Sequence, residues 1–312
     1  MDEMTNKNKT DWSWHLRLAG TILSLALLGW LLWKQNWNEI FLAIKDLPLW
    51  TFFLCFGLLL VRHIWNTVRW FLLLRAQNIR LRFIKALKFV FMGLFVSNFL
   101  PSMVGGDVVR IAGILKETEN RIAGAASVIV DRVVGVFGML FFLPFSAPLI
   151  ELVFSKGLFF GGIFGSANPK WADPFRRSVR KILTAVKIWL KQPGSLLLAL
   201  IASWTGVISN AVGVLILAKE MGIPVSLTDV IGATTLIYFI TMVPISINGY
   251  GLRELAILSF YTHFGATSEQ ATALALVTRV IYMMVSLPGS LWAGDVLQRS
   301  PAIFSLYEKD SE

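Results

Sequence analysis

Two short stretches of this chain pair a proline with an arginine nine residues later. The first reads Pro101-Ser-Met-Val-Gly105-Gly106-Asp107-Val-Val-Arg110. The second reads Pro244-Ile-Ser-Ile-Asn248-Gly249-Tyr250-Gly251-Leu-Arg253. Each is followed by a second match, Ala-Ser-Val-Ile-Val-Asp131-Arg132-Val against Ala-Leu-Ala-Leu-Val-Thr278-Arg279-Val. The chemistry offered is anion binding. A half-helix that begins inside an apolar medium points unsatisfied N–H groups and a positive dipole end at its ligand. Gly105, Gly106, Gly249 and Gly251 let backbone come close to that ligand, with Asn248 beside them. Arg110 and Arg253 add full charges about one turn further on, and a guanidinium can donate two parallel hydrogen bonds to one phosphate.

These residues must be positioned by membrane elements. Hydrophobic residues make up 55% of the 312 and charged residues 15%, against roughly a quarter charged in soluble domains. A spanning helix needs about 20 mostly apolar residues. The apolar runs predict full spans at about 16–33, 49–74, 122–145, 147–165, 195–218 and 268–292, the fourth interrupted by Glu151 and Lys156. Two further runs, about 83–100 and 228–244, end at the hinge prolines Pro101 and Pro244 and resume as short helices at about 107–117 and 251–264. That pattern predicts re-entrant hairpins, tolerated at membrane depth where they are buried in protein or line a cavity. The expected fold is therefore all-α and polytopic, with about six full spans plus two hairpins, about eight membrane segments in one transmembrane domain.

Basic loops set the orientation. Arg75, Arg80, Arg82, Lys85 and Lys88 crowd one loop, and the segment 170–191 carries seven basic residues against Asp173. Placing both inside gives cytoplasmic N- and C-termini in a multi-pass cell-membrane protein. The first hairpin then enters from the cytoplasm and the second from outside, so the units at about 49–145 and 195–292 read as inverted repeats.

Arg132 and Arg279 fall near the middle of their spans, and Arg62, Asn66 and Arg69 share one helix face. A charge at bilayer centre costs roughly 2.5–3.5 kcal/mol on insertion scales, so these arginines should face the protein interior. Two readings stand for them. They pair with Asp107, Asp131, Glu254 and Glu151 and hold the bundle together, or they bind a ligand. Deep arginines outnumber deep acids, which leaves positive charge for a ligand. The net charge of +10 lies mostly between apolar runs, which favours anionic headgroups over nucleic acid. The lone Cys55 and the scattered His15, His63 and His263 offer no metal-ligand spacing, and no cofactor is expected.

Arg69-Trp70, Asn98-Phe-Leu-Pro101 with Gly105-Gly106-Asp107 and Arg110, Asp131-Arg132, and Pro244 through Arg253-Glu254 together resemble the transmembrane region of the lysylphosphatidylglycerol synthase/flippase family over about residues 15–295. The resemblance implies handling of polar-headed membrane lipids, a phospholipid or a polyprenyl-phosphate lipid, with a partner lipid synthase and oligomers both possible. Full-length synthases carry a soluble aminoacyl-transfer domain after this region. The present chain stops at Glu312, so the expectation is a stand-alone, non-enzymatic member. The leading function is a flippase-like lipid translocase with an Arg-lined central cavity. The alternatives are a membrane glycosyltransferase using polyprenyl-phosphate sugars, for which only Glu39 and Asp46 in the first external loop offer a base, and an accessory lipid-binding protein.

Segment 173–191 carries Phe175, Val179, Ile182, Leu183, Val186 and Leu190 on one helical face and its basic residues on the other, the pattern of an in-plane interfacial helix. Replacing Arg176, Arg177, Arg180 and Lys181 with glutamine should weaken its contact with anionic vesicles. A spin label at Val179 reporting bulk water in those vesicles would refute the interfacial placement.

Overall fold

The computed structural model describes residues 37–98, 105–155, 189, 192–242 and 251–292, all-α throughout. After a short helix α1 (Trp37–Lys45) come α2 (Leu49–Ala76), α3 (Phe83–Ser97), α4 (Gly105–Leu115) and α5 (Arg121–Leu140), closed by a 3-10 turn at Leu143–Ser146. Helix α6 (Ala147–Ser155) follows. Then α7 (Pro193–Glu220), α8 (Leu227–Met242), α9 (Leu252–His263) and α10 (Ser268–Ser286) are closed by a 3-10 turn at Leu287–Gly289. Four helices among the described residues are long and apolar enough to cross a membrane: α2, α5, α7, and α10 extended to Trp292.

These four overlap the spans expected at 49–74, 122–145, 195–218 and 268–292, starting within two residues of each, and α3, α4, α8 and α9 supply the expected shorter pieces. Only Ala147–Ser155 of the fourth expected span is described. The span at 16–33, the interfacial helix apart from Trp189, and Pro101, Pro244, Asn248 and Gly249 lie outside the described residues. One element departs from the sequence reading. Trp37–Lys45, taken as loop, is helical, and α1 packs against α10.

Element lengths recur in order. Helices of 28, 15, 11 and 20 residues in the first half meet helices of 28, 16, 12 and 19 in the second. The turns after the two long helices share their closing hydrogen bonds. Asn78 at φ 57° and Gly222 at φ 72° take the left-handed position, and Ile79 N donates to Leu74 O as Ile223 N donates to Ala218 O. This is a Schellman ending, which tolerates Gly or Asn there and stops the helix sharply.

The equivalent long helices α2 and α7 form the most extensive interhelical contact, with Cys55 Sγ donating to Gly213 O and Ser209 Oγ to Leu58 O across it. Their outer faces expose Phe53, Leu54, Val61 and Ile64 on α2 and Leu197, Leu198, Ile201 and Ile208 on α7. Lipid, as apolar as those side chains, is the solvent such a face requires.

The first hairpin depends on one close approach. A Cβ on Gly93 of α3 would lie 2.7 Å from Gly106 O of α4, and one on Gly106 would lie 2.6 Å from Gly93 O. Trp70, Leu74, Val90, Ile114 and Val128 form a dry cluster beneath the hairpin, and Lys85 Nζ meets Glu117 Oε2 at 2.7 Å at its outer end. Each half's closing turn packs on the other half. Gly289 seats against Phe91 O of α3, Gly232 of α8 against Phe145 O, and Ser146 Oγ donates to Gly232 O.

Gly93→Ala and Gly106→Ala should each force the hairpin legs apart and destabilise the protein by about 1–3 kcal/mol. Gly57, with nothing near a built Cβ, should gain a few tenths to ~1 kcal/mol as Ala from helix propensity. Thermal unfolding in detergent ranks the three; equal midpoints would show that the close contact does not hold the hairpin.

Candidate functional site

The deep arginines pair across helices, with the side chains of Arg69 and Arg110 largely buried and that of Arg132 40% exposed. Arg62 lies midway along α2, about 20 Å from either end at 1.5 Å per residue. Two helical turns on, Arg69 Nε donates to Asp131 Oδ1 at 2.7 Å and its Nη2 to Asp131 Oδ2 at 3.3 Å. Arg110 Nη2 reaches Asp131 Oδ2 at 2.8 Å and its Nη1 reaches Asp107 Oδ1 at 3.3 Å. Arg132 Nε donates to Asp107 Oδ2 at 2.5 Å. Two carboxylates thus hold three guanidiniums from three helices. Gly135 makes the space, since a Cβ there would sit 3.0 Å from Arg69 Nη1.

The Arg69-Trp70 pair divides its labour. Trp70, fully buried, lies under Arg110 with the guanidinium carbon 4.4 Å from the ring centroid, and its Nε1 donates to Ser127 Oγ at 3.1 Å. Trp70 therefore stacks on the very arginine that its neighbour Arg69 joins through Asp131. Desolvated cation–π contacts of this kind contribute about 2 kcal/mol.

The second half is built more sparsely. Glu254 Oε1 accepts from Arg279 Nε at 2.8 Å and Nη2 at 2.6 Å. Its other oxygen accepts from Gly251 N at 2.8 Å, holding the start of α9 where Gly251 takes φ 78°, a region open to glycine. Arg253 sits over the Tyr282 ring at 5.8 Å. Arg62 Nη1 donates to Asn210 Oδ1 at 2.8 Å. Among the described residues neither Arg62 nor Arg253 has a carboxylate within ion-pair distance.

These groups line two adjoining cavities. One, of about 200 Å³, is walled by Arg62, Arg69, Arg110 and Arg132 with Asp107, Asp131, Asn66 and Gly106. The other, of about 150 Å³, is walled by Arg62, Arg253, Arg279 and Asn210, with apolar surface from Leu59, Leu217 and Leu274. Arg62, Met139, Tyr238 and Tyr282 border both. Arg62, Arg69, Arg110, Arg132, Arg253 and Arg279 each border one or the other, and Glu254 backs the second through Arg279. Gly105 opens α4, and the side chain of Glu151 lies outside the described set.

Sequence reasoning missed Asn210, Ser203, Tyr238 and Tyr282. A signal existed for the first: Pro193 follows Leu49 by 144 residues, and Asn210 follows Asn66 by the same 144. Asp131→Asn, which strips two arginines of their shared carboxylate, should destabilise the protein by about 3–5 kcal/mol. Arg253→Gln, which orphans no acid, should change stability by less than ~1 kcal/mol. Chemical or thermal unfolding of the two variants in detergent checks the contrast; equal losses would refute the division between paired and unpaired arginines.

A family model described as the lysylphosphatidylglycerol synthase TM region matches residues 17–289. The chain is 31% identical over 139 residues to a UPF0104 membrane protein of Pyrococcus horikoshii, a match covering 41% of this chain and 38% of that relative. No solved structure matches it. With the buried Arg–Asp network in place and the family model spanning nearly its whole length, the chain belongs to the lysylphosphatidylglycerol synthase TM region family, as a multi-pass membrane protein.

Proposed function

We propose that the protein is a flippase-like translocase that moves a phosphate-bearing, polar-headed lipid across the membrane through its central arginine-lined cavities. The observation that carries this reading is the charge balance at membrane depth. Among the described residues six arginines border the two cavities, three carboxylates hold four of them, and Arg62 and Arg253 have none within ion-pair distance. Uncompensated charge in an apolar medium is costly, and an anionic headgroup is the partner that removes the cost.

The path follows from the shared wall. A phosphodiester entering one cavity meets Arg62, which borders both, and passes to Arg253 without returning to water. The acyl chains stay in the lipid outside the bundle, and only the headgroup is carried. Two inverted repeats at about 49–145 and 195–292, with hairpins approaching the midplane from opposite faces and both termini in the cytoplasm, give each leaflet one entrance. The recurring element lengths and the Asn66/Asn210 register support that arrangement. The carboxylates bordering or backing the cavities each hold an arginine, which supports carriage over group transfer. A partner lipid synthase would supply the cargo.

Arg62→Lys and Arg253→Lys keep the charge and lose the planar fork. In proteoliposomes carrying an acyl-labelled phospholipid, each should fold normally and slow interleaflet transfer at least ~10-fold, about the 1.4 kcal/mol that a lost charge-assisted hydrogen bond represents. Transfer as fast as in the parent protein would sink the guanidinium–phosphate mechanism.

A further inference from the structure

The two halves carry their deep charges in register, with one acid missing from the second. The 144-residue shift that lays α2 on α7 sets Arg69 against Gly213. The matched Val-Asp131-Arg132 and Val-Thr278-Arg279 set Asp131 against Thr278, and counting from Pro101 and Pro244 sets Arg110 against Arg253. The Arg132–Asp107 pair has its counterpart in Arg279–Glu254, with the acid one turn further along its helix. Asp131 has no such counterpart. In the first half its carboxylate sits between Arg69 and Arg110. In the second, a neutral hydroxyl stands for the acid and a glycine for one arginine, while the other arginine remains.

Gly213, Thr278 and Arg253 all border the cavity of about 150 Å³. Thr278 Oγ1 donates to Ala275 O at 3.0 Å and brings no charge. The side that Gly213 leaves open is reached from α2 by Arg62, whose Nη1 donates to Asn210 Oδ1 at 2.8 Å, about one turn before Gly213. Arg62 and Arg253 therefore flank this cavity as Arg69 and Arg110 flank Asp131. Neither has a carboxylate within ion-pair distance among the described residues. Residues 243–250, which lead into α9, contain no acid.

We propose that a lipid phosphodiester binds beside Thr278, between Arg62 and Arg253, and takes in the second half the position that the Asp131 carboxylate holds in the first. This rests on the lipid-translocase reading and gives the headgroup a place within it. A phosphodiester matches the missing group where it matters. It carries one negative charge and two free oxygens, which can accept from two guanidiniums as Asp131 Oδ1 and Oδ2 accept from Arg69 and Arg110. Leu59, Leu217 and Leu274 make another part of the same wall apolar. A dry surface there suits the glycerol end of a lipid better than a free hydrated phosphate.

The test restores the acid. Thr278→Asp and Thr278→Asn are purified as full chains in an uncharged maltoside detergent and titrated with phosphatidylglycerol labelled on one acyl chain. Thr278→Asp puts a carboxylate beside Arg253 in the register of Asp131. It should bind the lipid at least ~10-fold more weakly than Thr278→Asn and unfold at a higher temperature. Adding Arg253→Gln to Thr278→Asp should remove that thermal gain, and Arg253→Gln alone should weaken lipid binding to a similar degree. Equal binding by the two Thr278 variants would overturn the placement and leave lipid movement standing. A Thr278→Asp chain that fails to fold where Thr278→Asn folds would also overturn it, because Arg253 would not have accepted the acid. Should neither fold, Arg253→Gln decides, undiminished binding overturning the placement and a matching loss supporting it. A parent chain that binds no phosphatidylglycerol would overturn the placement and the translocase reading together. Glycerophosphoglycerol, the same head without acyl chains, should displace the lipid poorly. Displacement as effective as that by unlabelled lipid would reassign the site to a soluble phosphodiester and overturn the claim for a lipid.

Discussion

Guanidinium groups held away from water dictate most of this architecture. Each deep arginine needs acceptors for its donors, and Arg69, Arg110, Arg132 and Arg279 also take a carboxylate, because an unpaired charge at depth is costly. Asp131 answers that demand for two arginines at once, from α2 and from α4, and Asp107 for a third. Those ion pairs fix three helices at one point. The glycines at 93, 106 and 135 exist to let backbone and guanidinium come close enough to make them.

The two halves meet the same constraint differently. In the first, three arginines share two aspartates and one of them also lies on the Trp70 indole. That is a stiff cluster, because removing either aspartate strips two arginines of a carboxylate. In the second, Glu254 serves a single arginine and a backbone amide, and Arg253 has an aromatic face and no acid. Ion pairing is therefore concentrated in the first half among the described residues, and Arg62 and Arg253, without a carboxylate at ion-pair distance, lie one in each half. The asymmetry arises on elements of nearly equal length, so it comes from side chains and not from a change of fold.

Much of this was legible from residue order. Continuous apolar runs gave α2, α5, α7 and α10 because a lipid-facing helix must be apolar for most of its turns. The Pro–Gly segments marked where α3 and α8 stop. Helix α1 was not legible, since nine residues mixing Trp37, Asn38 and Lys45 have neither the length nor the uniformity of a span. The pairing pattern was only half legible. The acids expected to pair with deep arginines were named without their partners, and Asp131 binds Arg69, 62 positions away, while its neighbour Arg132 holds Asp107. Helical geometry explains this, because consecutive residues point about 100° apart and cannot share a partner on one face. Tyr238 and Tyr282 looked like ordinary apolar-segment aromatics until the fold placed them on the wall between the cavities.

The closing 3-10 turns bear on how such a chain is made. Gly289 fills the seat at the carbonyl of Phe91, some two hundred residues earlier, and Gly232 fills the one at Phe145. A ribosome delivers the first hairpin long before its clasp at Gly289 exists. Until α10 and its closing turn are in place, the face of α3 around Phe91 lacks the glycine that packs against it. Biogenesis therefore ends with a latch, and a chain truncated shortly before residue 289 would carry every arginine of the site on a bundle still unfastened along one seam.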